Sequence, residues 1–508
     1  MMTQQPSPWF TLARCDEFGQ FLEAARDIPV GTLIVEETPV FYGPSADYVQ
    51  DYSTPICLGC ACVMNDGNEE NRCPTCKWPL CGPHCDNVSY HAEQECELLA
   101  KEKVGFPPNL PIQNCYKGLA ILRGLLLKEQ NPLAWEKVMN LQYENEIKDS
   151  TEEVDFNEFK TQFGLPNFGS NEDWRRILGV LNVNSYSIQR IEKKIGSPSF
   201  AEFIYPYQCL ANHSCIPNCN WVISYSPEFI IRVKASISIK KGDMLTVAYN
   251  YDLSKYGVHK RQRKIRDQAK FSCKCPRCLD PTDLGTYSGG VVCFKCKSGL
   301  MLPLDSIDPE SDWKCGQCPY KMCQSFVSAF VDSLQEQVEL AETESNETGE
   351  SIVDILEDFI SDKSGSVLHP NHWILTLAAQ SIINHQSSQL QQLTIEELDS
   401  FIRRCDHILS IRNVTPGIST EKGILQHHIA RAKFVRMESA IQQGKILANS
   451  PEMKAEIKTI HELQKSTVLF WDENPHYGTL QLHANHKLDA QFIREEMDLL
   501  KSKYKVVD

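Results

Sequence analysis

A chain of 508 residues with 42% hydrophobic and 23% charged residues is long enough for several domains and has an ordinary globular balance. Its formal net charge of −15 argues against a broad, sequence-independent nucleic-acid binder, which needs a basic surface. No run of 18 apolar residues marks a membrane span, and the opening MMTQQPSPWF lacks the basic and apolar regions of a secretory signal. The expected location is therefore nucleus and cytoplasm, a reducing setting in which 22 cysteines, many in C-x2-C pairs, mean zinc rather than disulfides.

In chain order, residues 31–36 (GTLIVE) read as a strand and residues 38–42 (TPVFY) as a second extended piece. Eight zinc-ligand residues follow: Cys57-x2-Cys60, Cys73-x2-Cys76, Cys81-x3-Cys85 and His91-x4-Cys96. Zinc takes four sulfur or nitrogen ligands in a tetrahedron, and each close pair supplies two, so four half-sites make two complete sites. That set is complete without His84, which reads as a surface residue, while Cys62 competes with Cys60 for the first knuckle. Residues 112–195 turn helical, with Tyr116, Leu119, Leu122 and Leu126 at three- and four-residue spacing. Strand signals return over 201–251, notably 229–233 (FIIRV) and 244–249 (MLTVAY).

A second cluster, Asn212-His213-Ser214-Cys215-x-Pro217-Asn218, lies inside that strand region. Cys273-x-Cys275-x2-Cys278 supplies three zinc ligands and needs a fourth from elsewhere, for which Cys215 is a candidate. Cys293-x2-Cys296 and Cys315-x2-Cys318 form another complete set, spaced like a zinc ribbon. The remaining seven cysteines, Cys15, Cys62, Cys115, Cys209, Cys219, Cys323 and Cys405, read as small buried hydrophobes. Residues 332–362 carry 11 acidic and no basic residues, expected as a solvated helix pair with a mobile loop between. From 370 onward the chain reads as amphipathic helices, a stack of hairpins without a clean repeat.

These motifs together resemble the SET-and-MYND-domain (SMYD) protein lysine methyltransferases. Residues 57–96 are similar to a MYND zinc finger, and 208–219 (QCLANHSCIPNC) to the family's cofactor signature. Residues 242–250 (GDMLTVAYN) resemble the strand that ends in the catalytic Tyr, and 271–278 (FSCKCPRC) the post-SET zinc motif. The ribbon at 293–318 and the segment 369–373 (HPNHW) resemble the arthropod SmydA branch. The resemblance implies an α+β architecture. A SET-domain β-fold is split by a MYND zinc finger and a helical insert. A post-SET zinc site, an extra zinc-ribbon-like module and an all-α C-terminal helical-hairpin domain follow. The implied division is 9–56 and 201–271 for the two parts of the SET domain, 57–96 for the finger and 97–200 for the helical insert. Residues 272–280 are the post-SET motif, 285–325 the ribbon-like module and 326–508 the C-terminal domain.

The implied cofactors are S-adenosylmethionine and zinc at four sites, with Cys215 completing the post-SET set. By resemblance Tyr249 is the catalytic residue, and Gly19, Gln20, Asn184, Asn212, His213, Tyr249 and Phe271 contact the methyl donor. The chemistry asks for such a site. The nucleophile is a neutral lysine amine, yet a free lysine has a pKa near ~10.4. A dry channel favours the neutral form, and a Tyr hydroxyl at its inner end orients the amine along the methyl–sulfur axis. Two departures stand out. The family's Gly-x-Gly-Leu loop is matched by Gly19-Gln20-Phe21-Leu22, so Phe21 stands where glycine lets a ligand approach the backbone. Ala269 replaces the second channel Tyr of the vertebrate enzymes, with Tyr251 and Tyr256 as candidate substitutes.

Two readings follow. The first is an S-adenosylmethionine-dependent protein-lysine N-methyltransferase acting on protein or histone-tail lysines and linked to transcriptional regulation. The second is a catalytically weak or inactive SET scaffold recruiting proline-rich co-repressor peptides through the MYND finger, near Leu58, Trp78 and Pro79. A monomer is expected, without membrane or direct nucleic-acid contact. The segment 240–277 holds 11 Lys or Arg against 3 acidic residues and reads as a solvated helix next to the post-SET zinc. The acidic 332–362 region is expected to attract basic, histone-like tails. His369, His372, His427, His428, His483 and His486 read as ordinary surface or core histidines, and Trp135, Trp373 and Trp471 as helix anchors.

Overall fold

The computed structural model describes residues 7–45, 55–64, 71–82, 85, 90–106, 111–144, 148–149, 152–153, 155–191, 198–224, 228–417, 419–447, 450–473 and 490–504. His84, His483 and His486 fall outside them, as do the side chains of Tyr251 and Trp471. The chain divides into two compact units, Met1–Asn212 with Trp221–Leu245, and His213–Asn220 with Thr246–Asp508.

The first unit is built on short antiparallel ladders. Phe10–Cys15 and Gly19–Ala24 form a hairpin in the register Leu12↔Leu22, and its turn closes through Gly19 at φ 65°. Leu245 N–H bonds Leu22 O at 2.9 Å, so the edge of that hairpin is covered by the chain returning at 242–245. Leu33–Glu37 pairs with Ile231–Ala235, Val35 facing Val233. Phe41–Pro44 pairs with Pro198–Ile204, which pairs in turn with Tyr186–Ile191. This last strand is a correction, because residues 112–195 read as helical throughout. The helix Asn171–Asn184 stops where Ser185 turns extended, and six residues are too few for periodicity to separate helix from strand. A second correction is in 244–249, where only Thr246–Val247 is a strand.

The helix Ile112–Gln130 lies against strand Phe41–Pro44 at very close range. A Cβ on Gly43 would stand 2.4 Å from the Ala120 Cβ, so only two small residues permit the contact. Around it Phe41, Tyr42, Leu119, Ile121, Phe163, Trp174, Ile177 and Phe203 form one buried core. Gly43→Ala is expected to cost about 1–3 kcal/mol through overpacking, read as a lower thermal midpoint. An unchanged midpoint would contradict this packing.

The second unit opens with the motif segment and the helix Val258–Ala269, then a four-stranded antiparallel sheet in the order Val291–Val292, Leu300–Pro303, Trp313–Cys315, Lys321–Met322. Helices Gln324–Thr348, Ile352–Lys363, Trp373–Gln386, Ile395–Arg412, Thr420–Gln442, Pro451–Glu473 and Ala490–Tyr504 follow as successive hairpins. The acidic pair is joined by a three-residue turn rather than a longer mobile loop. Gly349 ends the first helix in the left-handed region, and the Ser351 hydroxyl caps the next by accepting from Val353 N–H. Thr394 and Glu397 form a capping box on Ile395–Arg412. Alternate hairpin faces bury Leu398, Phe401, Cys405, Ile408, Leu425 and Ile429 in one cluster and Met437, Met453, Ile457 and Ile460 in another. Trp373 is a buried anchor, as its helical spacing suggested, while Trp135 is partly buried against the first core. Among the described residues no helix is long and apolar enough to cross a membrane.

Candidate active site and zinc centres

Sixteen cysteine and histidine side chains converge into four groups, each with ligand atoms within 4.8 Å of one another. The groups are Cys57, Cys60, Cys81, Cys85; Cys73, Cys76, His91, Cys96; Cys215, Cys273, Cys275, Cys278; and Cys293, Cys296, Cys315, Cys318. The finger's half-sites interleave, first with third and second with fourth, so each centre cross-links the other. Sulfurs about 2.3 Å from a tetrahedral zinc lie about 3.8 Å apart. Here Cys60 and Cys81 are 3.5 Å apart, Cys215 and Cys278 3.5 Å, Cys215 and Cys273 4.0 Å, and Cys293 and Cys318 3.7 Å. Those spacings fit zinc and exclude disulfides, whose sulfurs lie about 2.05 Å apart.

Cys62 is buried beside the first knuckle but outside the tetrad, its carbonyl accepting from Cys57 N–H. Cys115, Cys219 and Cys405 are buried as expected. Cys15 and Cys209 are only partly buried, and Cys323 is exposed at the residue before the helix Gln324–Thr348, which corrects the expectation of buried cysteines there.

The finger centres and the post-SET centre are backed by buried polar groups. In the finger, the His91 Nδ1 meets Glu95 Oε1 at 2.7 Å, leaving Nε2 toward Cys76. Arg123 then grips Glu95 with two nitrogens at 2.8 and 2.7 Å and donates to Tyr42 O at 2.9 Å and Leu58 O at 3.1 Å. Burial alone raises the Glu95 pKa, but Arg123 and His91 outweigh it and hold the carboxyl below its usual range. Tyr42, from strand Phe41–Pro44, donates its hydroxyl to Leu58 O and Gly59 O. The finger is therefore tied to the sheet through both centres. Leu58 and Trp78 are 0% exposed and Pro79 is buried, with the Trp78 indole donating to Val104 O. These three residues are packed into the core of the unit.

At the post-SET centre, Gln262 brackets Cys273 with both ends of its amide, donating to Cys273 O at 2.7 Å and accepting from its N–H at 3.1 Å. Arg261 points a guanidinium nitrogen at Cys278 Sγ, 3.6 Å away, opposing the negative charge of four thiolates. Arg261 and Arg277 both bond Asp283, and Ser288 donates to the same carboxylate. In the ribbon, a Cβ on Gly299 would lie 2.5 Å from Cys315 Sγ, so glycine is needed for the approach.

The residues assigned to the methyl donor divide between the units. In the first, Gly19 is in the left-handed region and Gln20 is exposed, whereas Phe21 is buried at 9% exposure. Asn184, the last residue of its helix, donates to Gln142 O at 2.7 Å and Val180 O at 2.9 Å. A Cβ on Gly19 would stand 3.6 Å from the Gln142 side-chain nitrogen, so Gln142 neighbours both. The Asn212 amide nitrogen lies 3.1 Å from Met244 Sδ.

In the second unit three rings cluster: His213 to Tyr249 at 5.3 Å, His213 to Phe271 at 5.9 Å and Tyr249 to Phe271 at 6.3 Å. Tyr249 N–H donates to His213 Nδ1 at 3.2 Å, while His213 Nε2 is 3.3 Å from Cys215 Sγ. That pattern assigns the neutral tautomer with its proton on Nε2, directed at a zinc-bound thiolate. Asn218, which the sequence placed only as part of the motif, clamps Thr246 through N–H and hydroxyl bonds at 2.8 and 3.2 Å. Ser214 N–H bonds Val247 O at 3.0 Å. The motif is thus threaded along the segment that ends in Tyr249. Ala269 ends its helix without a hydroxyl, and Tyr256 packs on Trp373 at 5.1 Å between the cations of Lys255 and Lys264.

Much of the positive charge of segment 240–277 is paired within the chain, although only Arg261 and Arg277 among its basic residues are buried. Lys240, Lys260, Arg261, Arg263, Arg266 and Arg277 pair with Asp27, Asp332, Asp283, Asp332, Asp308 and Asp283 respectively. His372 is buried as a helix cap accepting from Ile374 N–H, and His427 and His428 are buried in the helical core.

Comparison with known proteins agrees with this geometry. A SET domain family model matches residues 19–250. "SET domain-containing protein SmydA-8, isoform A" of Drosophila melanogaster is 24% identical over 421 residues, covering 80% of this chain and 85% of that protein. "Histone-lysine N-methyltransferase SMYD3" of Mus musculus is 24% identical over 339 residues, covering 61% of this chain and 70% of that protein. "Protein-lysine N-methyltransferase SMYD4" of Homo sapiens is 39% identical over 140 residues, 27% of this chain and 17% of that protein. A SET-domain match split by two interleaved zinc centres, with a post-SET centre and a ribbon after it, agrees with the resemblance to the SMYD proteins and to SmydA-8 among them.

Proposed function

We propose that the chain is an S-adenosylmethionine-dependent protein-lysine N-methyltransferase with Tyr249 as its catalytic residue. The observation that carries this reading is the threading of the Asn212–Asn218 motif along 246–249. It places Tyr249 on a backbone fixed by His213 and, through Cys215, by the post-SET zinc centre. S-adenosylmethionine supplies an electrophilic sulfonium methyl and leaves as S-adenosylhomocysteine. The residues present suit it. Asn212 offers an amide to its amino-acid end. Asn184 spends its N–H groups on Gln142 and Val180 and keeps its carbonyl oxygen as an acceptor. Gly19 and Gln20 offer backbone, and His213 and Phe271 supply ring faces.

The protein's part in the reaction is orientation and desolvation. The half-buried Tyr249 presents a hydroxyl that accepts from, and so aims, the lysine amine. Ring walls exclude water, which lowers the amine's pKa toward the neutral nucleophile. Ala269 leaves this channel with one tyrosine fewer, which suits a bulkier or more highly methylated amine.

The substrate is a protein lysine, and histone tails are the substrate class we favour. The exposed carboxylates of Gln324–Thr348 suit a basic tail, although Asp332 is already paired with Lys260 and Arg263. A monomer distributed between nucleus and cytoplasm, acting in transcriptional regulation, goes with this reading. The alternative is a catalytically weak or inactive scaffold capturing proline-rich co-repressor peptides on its finger; the burial of Leu58, Trp78 and Pro79 favours the enzyme reading over it.

The test is transfer of labelled methyl groups from S-adenosylmethionine to histone and cellular protein lysines. Tyr249→Phe is expected to lower the rate about 100-fold or more, the usual scale for losing a positioned proton-handling group. Undiminished transfer by Tyr249→Phe would remove Tyr249 from the role.

A further inference from the structure

Glu37 ends the strand Leu33–Glu37 and is 4% exposed. One carboxylate oxygen accepts from Tyr207 N–H at 3.0 Å and the other from Gln208 N–H at 3.0 Å. These two amides open the short turn Gln208–Leu210, which runs directly into Ala211 and Asn212. The same turn is held elsewhere: Cys209 Sγ donates to Asn184 O at 3.3 Å, and Gln208 Nε2 donates to the Tyr186 hydroxyl at 3.0 Å. One buried carboxylate therefore governs a turn that touches Asn184 and delivers Asn212.

Removing a charged carboxylate from water is costly, and a neutral amide in its place would satisfy only one of the two donors. The carboxylate accepts on both oxygens, one per amide. We propose that Glu37 is a positioning residue of the methyl-donor site, fixing Asn212 through the Tyr207–Gln208 amides. The proposal rests on the methyltransferase reading.

Burial pushes the Glu37 pKa up to about 7, opposed by the two amide bonds and by Lys137. Lys137 and Cys209 are the titratable groups that face it. Protonation places a hydroxyl on one oxygen, opposite an amide hydrogen, and releases half of the grip. The grip is therefore whole at pH 8 and weakened at pH 6.

Binding of S-adenosylhomocysteine to the full zinc-loaded chain, measured by calorimetry, tests this. The probe's own groups do not titrate appreciably across that window. At pH 8 Glu37→Gln is expected to bind about tenfold more weakly than the wild type, the effect of one charge-assisted hydrogen bond. Zinc content and a cooperative melt should be retained. Wild-type affinity should fall severalfold from pH 8 to pH 6 while that of the variant stays level. Equal binding by wild type and Glu37→Gln overturns the proposal alone. If Glu37→Gln does not fold, the wild-type pH profile decides, and a flat profile overturns it. A folded wild type that never binds the probe defeats the methyltransferase reading, and this proposal with it.

Discussion

Glu95→Ala is expected to destabilise the first unit by about 3–5 kcal/mol and to loosen zinc at the Cys73, Cys76, His91, Cys96 centre. Arg123 and Glu95 are both 0% exposed. Deleting the carboxylate leaves a guanidinium buried against Tyr42 O and Leu58 O with no counter-charge, and leaves the His91 Nδ1 without its acceptor. Both effects act at once, because the one side chain orients a zinc ligand and neutralises the arginine that ties finger to sheet. Denaturant unfolding reads the first effect, and zinc release to a chromophoric chelator reads the second. Replacing Glu95 and Arg123 together by leucine and methionine should cost less than Glu95→Ala alone, since no charge is then stranded. A Glu95→Ala protein with wild-type unfolding and zinc retention would show that the finger is not held this way.

Asp283→Ala is expected to be equally severe in the second unit, about 3–5 kcal/mol, because two arginines lose their shared partner. Arg261 is 0% exposed and Arg277 1%, and both converge on this carboxylate together with the Ser288 hydroxyl. Burial raises the Asp283 pKa, but the two guanidiniums overcome it and hold the carboxyl well below the ordinary carboxylate value of 3.8. The sign of the pH effect follows. A depressed folded-state pKa contributes stability that is complete above about pH 4, the unfolded value, and is lost as pH falls below it. Acid unfolding of the wild type should therefore steepen below about pH 4, and Asp283→Ala should lose that component while being weaker at neutral pH. Identical acid limbs for the two proteins would contradict the assignment. Arg261 also faces Cys278, so zinc release from the post-SET centre should quicken in the same variant.

Much of the architecture was legible because zinc ligation is a local code. C-x2-C and its variants place two donors on one turn, and spacing alone located the ribbon set Cys293, Cys296, Cys315, Cys318. It did not settle how the finger's half-sites pair, and the interleaving comes from the fold. Long amphipathic helices such as Ile395–Arg412 were legible for a similar reason, since many turns repeat one apolar face. The strand Tyr186–Ile191 was not, because its partner Pro198–Ile204 fixes it through the ladder rather than through its own pattern.

What escaped the sequence reading most completely was buried charge. Glu37, Glu95, Arg123, Arg261 and Asp283 look like surface residues in the linear chain, and only contacts remote in sequence reveal their partners. Arg123 and Glu95 are 28 positions apart, and Glu37 and Gln208 are 171. The burial of three finger residues has the same origin. Leu58, Trp78 and Pro79 are apolar residues beside a zinc knuckle, and whether such residues face a ligand or the core depends on the helix Ile112–Gln130 and the rest of the unit. The departure at Phe21 proves to be a buried side chain, whereas Ala269 is half-buried at the end of its helix.

The most direct measurement is S-adenosylmethionine binding by calorimetry to the folded, zinc-loaded chain, alongside Asn212→Ala and Tyr249→Phe. The account expects micromolar binding by the wild type, its loss in Asn212→Ala and its retention in Tyr249→Phe, since the first residue holds the donor and the second aims the acceptor; about 8 kcal/mol of binding free energy corresponds to that affinity. A folded, fully zinc-loaded wild type with no detectable binding would contradict the account at its centre.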